Sequence, residues 1–144
     1  MAITHNRKTL AVAEKSEKTP IITIHKVDDE RSSNEDRKTD NKILRSKKKI
    51  VCSTDIKQHK SFVSMAFCPK NEKLLVTLSS EPDQYVYIWQ VDKLRCLTHQ
   101  TMGHNTGHPF GTQVSFSNTD PNVVLVTGNQ TYKYFIKKDE ILSP

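Results

Sequence analysis

Hydrophobic residues in this chain occur in short runs separated by polar turns. In the middle of the chain the runs 62–67, 74–78 and 85–91 are rich in β-branched and aromatic residues, which strands prefer. Proline and asparagine lie in the intervening 69–72 segment, as is typical of turns. A weaker run follows at 94–102. This pattern predicts a unit of four antiparallel strands with no helix.

The same pattern occurs earlier in the chain. Adding 64 to each residue number carries 1–27 onto 65–91 without a gap and places Leu10 on Leu74. A strand unit of this kind cannot bury its apolar face alone. The repetition therefore predicts several such units stacked side by side.

A third copy follows at a shorter interval. Phe67 and Phe116 are 49 residues apart, and Trp89 aligns with Ile136 at a spacing of 47. Differences of one or two residues are expected where repeated strands are joined by variable turns. Four antiparallel strands per unit are typical of a propeller blade. The predicted fold class is all-β, a partial β-propeller of about three four-stranded blades.

The repeats predict that residues 1–144 form one partial propeller. The first blade is predicted from 1–27 and 42–52, and it is incomplete because its first strand starts in the middle at Met1. The segment 28–41 has no apolar residue, so we expect a disordered insert there. The second blade covers 59–102 and the third covers 108–138. A chain of three blades cannot close a ring, so we expect it to need partners or to be poorly soluble alone.

The second unit resembles the WD-repeat β-propeller family. His59 lies eight residues before Phe67, which begins the triplet Phe67-Cys68-Pro69, and Asp83 lies six residues before Trp89. The resemblance implies a buried hydrogen-bond network of His59, Ser79, Asp83 and Trp89 that pins turns to strands.

The outer units depart from this family pattern. The first unit has His25 at the position of Trp89, and the third has Ile136 there. We expect those blades to depend on packing alone.

Several short sequence segments, taken in their order along the chain, look like consecutive blades near the N-terminus of ciliary WD-repeat proteins. They are 10–14, 18–24, 62–69, 113–117 and 126–129. The resemblance implies a non-enzymatic interaction scaffold of the cytoplasm and the ciliary or flagellar axoneme, linked to inner-arm dynein placement or regulation on doublet microtubules. Its partners would be axonemal proteins and the remaining propeller blades. The alternative is a generic cytoplasmic WD-repeat adaptor.

Basic residues suggest one further alternative. The chain has a formal charge of +6, and Lys47, Lys48 and Lys49 are consecutive. Such a run could bind a polyanion. It is more typical of a solvated loop or an edge strand, where lysine discourages strand pairing. No aromatic residues accompany the lysines, which disfavours nucleic acid as a partner.

The sequence predicts no catalytic residue, no cofactor, no metal site and no small-molecule substrate. Cys96, His99, His104 and His108 resemble zinc ligands, but Cys96 and His99 have no matching second pair. Glycine-rich phosphate loops and nucleophile elbows are missing from the sequence. Three cysteines at irregular spacing favour reduced thiols. No apolar run is long enough to predict a membrane span.

Aromatic residues alternate on two of the predicted strands. Tyr85, Tyr87 and Trp89 lie two apart on one strand, and Tyr132 and Tyr134 do so on the equivalent strand. Alternate positions of a strand share one face, so we expect all five rings to pack between neighbouring blades rather than form an exposed stacking platform.

Overall fold

Every regular element that the structure describes is a β-strand. The computed structural model describes residues 1–15, 19–27, 46–51, 61–80, 84–103 and 110–144. Within these ranges there are twelve strands, β1 to β12, and none of the described residues belongs to a helix capable of crossing a membrane. The segment 28–41, predicted to be a disordered insert, lies outside the described residues.

The strands form three antiparallel sheets of four. The first sheet has the order β1 (Ala2–Ile3), β2 (Thr9–Glu14), β3 (Ile21–Lys26) and β4 (Ser46–Val51). The second has the order β5 (Phe62–Phe67), β6 (Leu74–Ser79), β7 (Tyr85–Gln90) and β8 (Arg95–Thr101). The third has the order β9 (Gly111–Phe116), β10 (Val123–Gly128), β11 (Thr131–Lys138) and β12 (Ile141–Ser143). The predicted all-β class with three four-stranded antiparallel units is confirmed.

The sheets stack face to face in chain order. We call the face of each sheet that points to the preceding sheet its backward face, and the opposite one its forward face. One core cluster joins the first two sheets and contains Ala11, Ile22, Ile24, Ile50, Met65, Phe67, Leu75, Tyr87 and Trp89. The other joins the second and third sheets and contains Leu74, Val76, Leu78, Val86, Ile88, Val114, Phe116, Val124, Val126 and Phe135. Only the second sheet is therefore covered on both faces, and all six residues of its strand β6 are buried.

Equivalent strands of neighbouring sheets lie next to each other. The first strands of the sheets are in contact, β1 with β5 and β5 with β9, and the last strands β8 and β12 also touch. A polar contact joins the first turns as well, since the Asn6 backbone N–H donates to Glu72 Oε1 at 3.1 Å. This arrangement fixes a constant stacking direction from sheet to sheet.

Strand pairing corrects the alignment of the first two units. Leu10 pairs with His25, whereas Leu75 pairs with Trp89. Leu10 is therefore equivalent to Leu75, and the prediction that it matches Leu74 is wrong by one residue. The turn before β2 has five residues and the turn before β6 has six, while the connections after them have six and five. The residue missing from the first turn is restored in the connection that follows it. A constant offset of 64 therefore fits both ends of the unit, although β2 itself is shifted by one residue.

The third unit also departs from the predicted alignment by one residue, here on strand β11. Phe135 pairs with Val124 as Trp89 pairs with Leu75, and all four side chains are buried. The structural equivalent of Trp89 is thus Phe135, and the predicted match with Ile136 is wrong by one residue. Because side chains alternate across a strand, this shift moves a whole set of residues to the opposite face.

A side-chain amide locks the second sheet to the third. Gln84 precedes β7, and its Nε2 donates to the carbonyl oxygen of Gly111 at 2.8 Å. The Gly111 backbone N–H in turn donates to Gln84 Oε1 at 2.8 Å. A larger residue at position 111 would disturb the packing beside this bridge, since an added Cβ would lie 2.6 Å from Val126 Cγ1 and 3.0 Å from Leu78 Cδ2. The buried Gln84 thereby satisfies the start of β9.

Candidate interaction surface

The forward face of the third sheet is uncovered and carries an apolar patch bordered by polar residues such as Gln113 and Lys138. We call it the tyrosine face, and it consists of Leu125, Tyr132, Tyr134, Ile136 and Ile141. Tyr132 is 76% exposed and Tyr134 is 57% exposed. A contiguous exposed apolar patch of this kind marks an interaction site on a protein surface.

Strand alternation places these side chains together. On β11 the side chain of Phe135 points to the second sheet and is buried, so those of Tyr134 and Ile136 point the other way. Leu125 is directly opposite Tyr134 on the neighbouring strand β10. The face is thus built by the two central strands of the sheet, with Ile141 on the edge strand β12, rather than by a loop.

A cavity of about 480 Å³ opens at the edge of the tyrosine face. It lies between the end of β8 and strand β11, and it is lined by Met102, Gly103, Tyr132, Tyr134 and Pro144 among others. Lys133 Nζ crosses this region and donates to the carbonyl oxygen of Met102. The cavity is therefore lined by apolar side chains and by Lys133, whose ammonium group is already hydrogen-bonded to the backbone.

The prediction for the alternating aromatic residues is right for Tyr85, Tyr87 and Trp89 and wrong for Tyr132 and Tyr134. Tyr87 and Trp89 are buried between the first two sheets, with ring centroids 5.5 Å apart in a stacked arrangement, as predicted. Tyr132 and Tyr134 are exposed instead, because the one-residue shift puts them on the forward face. The equivalent of Tyr87 in the third sheet is Lys133, a residue that sequence similarity does not relate to tyrosine.

Two members of the predicted hydrogen-bond network are described. Trp89 Nε1 donates to the hydroxyl of Thr77 at 2.9 Å, so the hydroxyl beside the indole belongs to Thr77. Ser79 Oγ instead accepts from the backbone N–H of Tyr85 at 2.8 Å and closes the connection between β6 and β7. His59 and Asp83 lie outside the described residues, so the four-residue network remains a prediction.

The lysine run lies on β4, the last strand of the first sheet. Lys48 and Lys49 are exposed there, and the side chain of Lys47 lies outside the described residues. Neighbouring positions of a strand alternate between faces, so positions 48 and 49 belong to opposite faces. This placement agrees with the edge-strand alternative. Polyanion binding by the lysine run remains a prediction.

The thiol of Cys96 is poorly suited to nucleophilic chemistry. Burial raises its pKa from 9.0 to about 11, which keeps the thiol protonated near neutral pH. Its Sγ donates to the carbonyl oxygen of Thr98 at 3.4 Å. The side chain of His99 packs against Tyr87, with ring centroids 5.8 Å apart. His104 and His108, the other residues weighed as zinc ligands, lie outside the described residues.

Three four-stranded antiparallel sheets stacked in chain order, with their first strands adjacent, define a partial β-propeller. No protein-family model matches the chain. The chain is similar to cilia- and flagella-associated protein 57 of Mus musculus, with 29% identity over 135 residues. That match covers 92% of this chain and 9% of the mouse protein. The resemblance to a ciliary WD-repeat protein expected from the sequence is thus confirmed.

The fold has a counterpart among solved structures. A chain in the crystal structure of the mitotic checkpoint complex matches 98% of this chain with a TM-score of 0.62. This chain corresponds to 36% of that one, and the sequence identity is 14%. At that identity the likeness concerns the propeller fold alone.

Proposed function

We propose that the chain is a non-enzymatic protein-interaction scaffold of the ciliary or flagellar axoneme, linked to inner-arm dynein placement or regulation on doublet microtubules. The observation that carries this proposal is the 29% identity to cilia- and flagella-associated protein 57, which extends over 92% of the chain. The similarity covers all three sheets rather than one repeat, so it exceeds what a shared strand pattern alone would produce. The chain spans 9% of that relative, and the role proposed here is that of a propeller segment.

The surface chemistry supports binding rather than catalysis. The tyrosine face offers exposed aromatic and aliphatic side chains on a rigid sheet, and tyrosine is enriched at protein interfaces because its ring is apolar and its hydroxyl is polar. The raised pKa of Cys96 disfavours a thiolate nucleophile. Both features favour a scaffold whose binding partners are proteins.

Localisation in ciliated cells tests the proposal. A tagged chain should give a signal along the axoneme that persists after detergent extraction of the membrane. A matched Leu75→Asp variant introduces a carboxylate into the buried core and should lose this signal, since its blades cannot pack. Diffuse cytoplasmic signal from the unaltered chain would contradict the proposal and favour the generic cytoplasmic adaptor.

The dynein link requires a separate measurement. Axonemal extracts passed over the immobilised chain should retain inner-arm dynein components, and the Leu75→Asp variant should not retain them. Axonemal localisation without any retained dynein component would preserve the scaffold and refute the dynein link.

A further inference from the structure

Positive charge is concentrated on the first sheet. Its described residues 1–15, 19–27 and 46–51 include seven lysines and arginines and one carboxylate, Glu14. The third sheet and its turns, residues 110–144, have three residues of each sign. An uneven distribution of this kind creates a positive potential at one part of the surface, where an anionic partner is attracted.

Strand pairing brings four of these cations to one corner of the first sheet. Lys26 pairs with Thr9 across β2 and β3, so Lys8 is next to its partner residue. On its other side Lys26 pairs with Ser46 of β4, and Lys48, two residues further on, is therefore its diagonal neighbour on the same face of the sheet. Arg7 precedes Lys8 in the turn between β1 and β2. We call this group the basic corner: Arg7, Lys8, Lys26 and Lys48.

The turn that carries Arg7 and Lys8 is held by hydrogen bonds. The Arg7 backbone N–H donates to the carbonyl oxygen of Thr4 at 2.9 Å, and the Lys8 backbone N–H donates to Asn6 Oδ1 at 2.8 Å. All four residues of the basic corner are exposed, and within the described part of the chain their side chains form no ion pair. The corner therefore presents available charges on an ordered backbone, which lowers the cost of ordering on binding.

The described carboxylates leave the basic corner with a surplus of positive charge. Glu14 is at the far end of β2. Glu72 is on the first turn of the second sheet, where it accepts from the Asn6 backbone N–H at 3.1 Å. Asp92 is paired with Lys73, whose Nζ is 3.8 Å from its Oδ2. Each of these carboxylates thus has a partner outside the basic corner.

We propose that the basic corner binds an extended acidic segment of a protein partner. Alternate side chains of an extended chain point to one side about 6.6 Å apart, and diagonal neighbours such as Lys26 and Lys48 are about 7 Å apart, so alternate glutamates match their spacing. Charge complementarity of this kind favours fast and specific association. The described residues of the first sheet contain no phenylalanine, tryptophan or tyrosine on which a base could stack, which disfavours nucleic acid.

This inference deepens the proposed function, because it names the chemistry of one partner of the scaffold. It differs from binding by the lysine run as a whole, since Lys49 is on the opposite face of β4 from Lys48. Binding measured with purified components does not depend on where the chain localises. Acidic-segment binding together with a diffuse signal in ciliated cells would therefore refute the axonemal function and support the basic corner.

Fluorescence anisotropy of a labelled oligoglutamate peptide tests the proposal on the full chain at low salt. Lys48→Ala should weaken binding about threefold, and Lys26→Ala combined with Lys48→Ala about tenfold, because an exposed ion pair contributes a factor of about two to five. Physiological salt should also weaken binding, since it screens exposed charges. The matched control Lys49→Ala removes the same charge from the other face of the same strand and should change the affinity less than about twofold.

Three results with these reagents would overturn the proposal. Equal binding of an oligoglutamine peptide of the same length would mean that charge does not drive the contact. Equal weakening by Lys48→Ala and Lys49→Ala would mean that the whole lysine run attracts the peptide. Tighter binding of a single-stranded oligonucleotide of equal charge would mean that the site serves nucleic acid. Circular dichroism checks that each variant keeps its strands.

Acidic residues of this chain itself are the competing occupant. The segment 28–45 contains six acidic and five basic residues, and Asp28, Asp29 and Glu30 directly follow Val27. A variant with Asp28→Asn, Asp29→Asn and Glu30→Gln should bind the oligoglutamate peptide with an affinity within about twofold of the unaltered chain. A gain of about tenfold would mean that these residues occupy the basic corner, and it would overturn the assignment to a separate partner.

Discussion

The indole of Trp89 combines burial with a single directed hydrogen bond. Only 2% of its surface is exposed, and its N–H reaches the Thr77 hydroxyl across the pair of strands β6 and β7. A buried donor that keeps its partner costs little, whereas a buried group that loses its partner costs its full desolvation. The stability of this part of the second sheet therefore depends on both residues together.

Replacing both residues should destabilise the chain by less than the sum of the two single replacements. Trp89→Phe leaves the buried Thr77 hydroxyl without its donor, and Thr77→Val leaves the indole without its acceptor. We expect each to lower the free energy of unfolding by about 1–3 kcal/mol, and the double variant to lower it by less than the sum. Urea unfolding of all four proteins measures this, and strictly additive losses would contradict a direct bond.

The strands agree with the sequence pattern, and the turns between them are where sequence and structure diverge. The strands of the second unit follow the hydrophobic runs closely, since 62–67 is strand β5 and 85–91 contains β7. The pattern specifies strands because each has its own alternating apolar face. It does not specify how many residues a turn takes, and compensating turns around β2 concealed a shift of one residue. A separate shift of one residue on β11 in the third unit decides whether Tyr134 is buried or exposed, so the tyrosine face could not be predicted.

The sequence also does not predict the side-chain hydrogen bonds that join one sheet to the next. Gln84 has no periodic or family signal, because a polar residue before a strand is usually part of a turn. Its role depends on Gly111, which is 27 residues away along the chain and adjacent only in the stacked sheets.

Removing this bridge should loosen the junction between the second and third sheets. Gln84→Ala leaves the N–H and the carbonyl oxygen of Gly111 buried without their partners, so we expect a loss of about 1–3 kcal/mol in the free energy of unfolding. The exposed Gln113→Ala on β9 is the matched control and should change stability by less than about 0.5 kcal/mol. Denaturant titration compares them, and equal losses would show that the bridge is not a stabilising contact.

The whole molecule is a stack of three described sheets, of which the second has a sheet on each face. Stability in such a stack comes largely from contacts between neighbours, so each outer sheet gains such contacts on one face only.

The two junctions between sheets are filled by side chains of different size, and this has a consequence for how such a chain can evolve. Three identical sheets would tolerate exchange, duplication or loss of any one of them. Here a duplicated second sheet would set Val76 and Ile88 against another copy of Tyr87 and Trp89, which is too much volume for one junction. Recombination within this array is therefore constrained to preserve the order of its sheets, and substitutions at one face are expected to be accompanied by size changes in the face opposite.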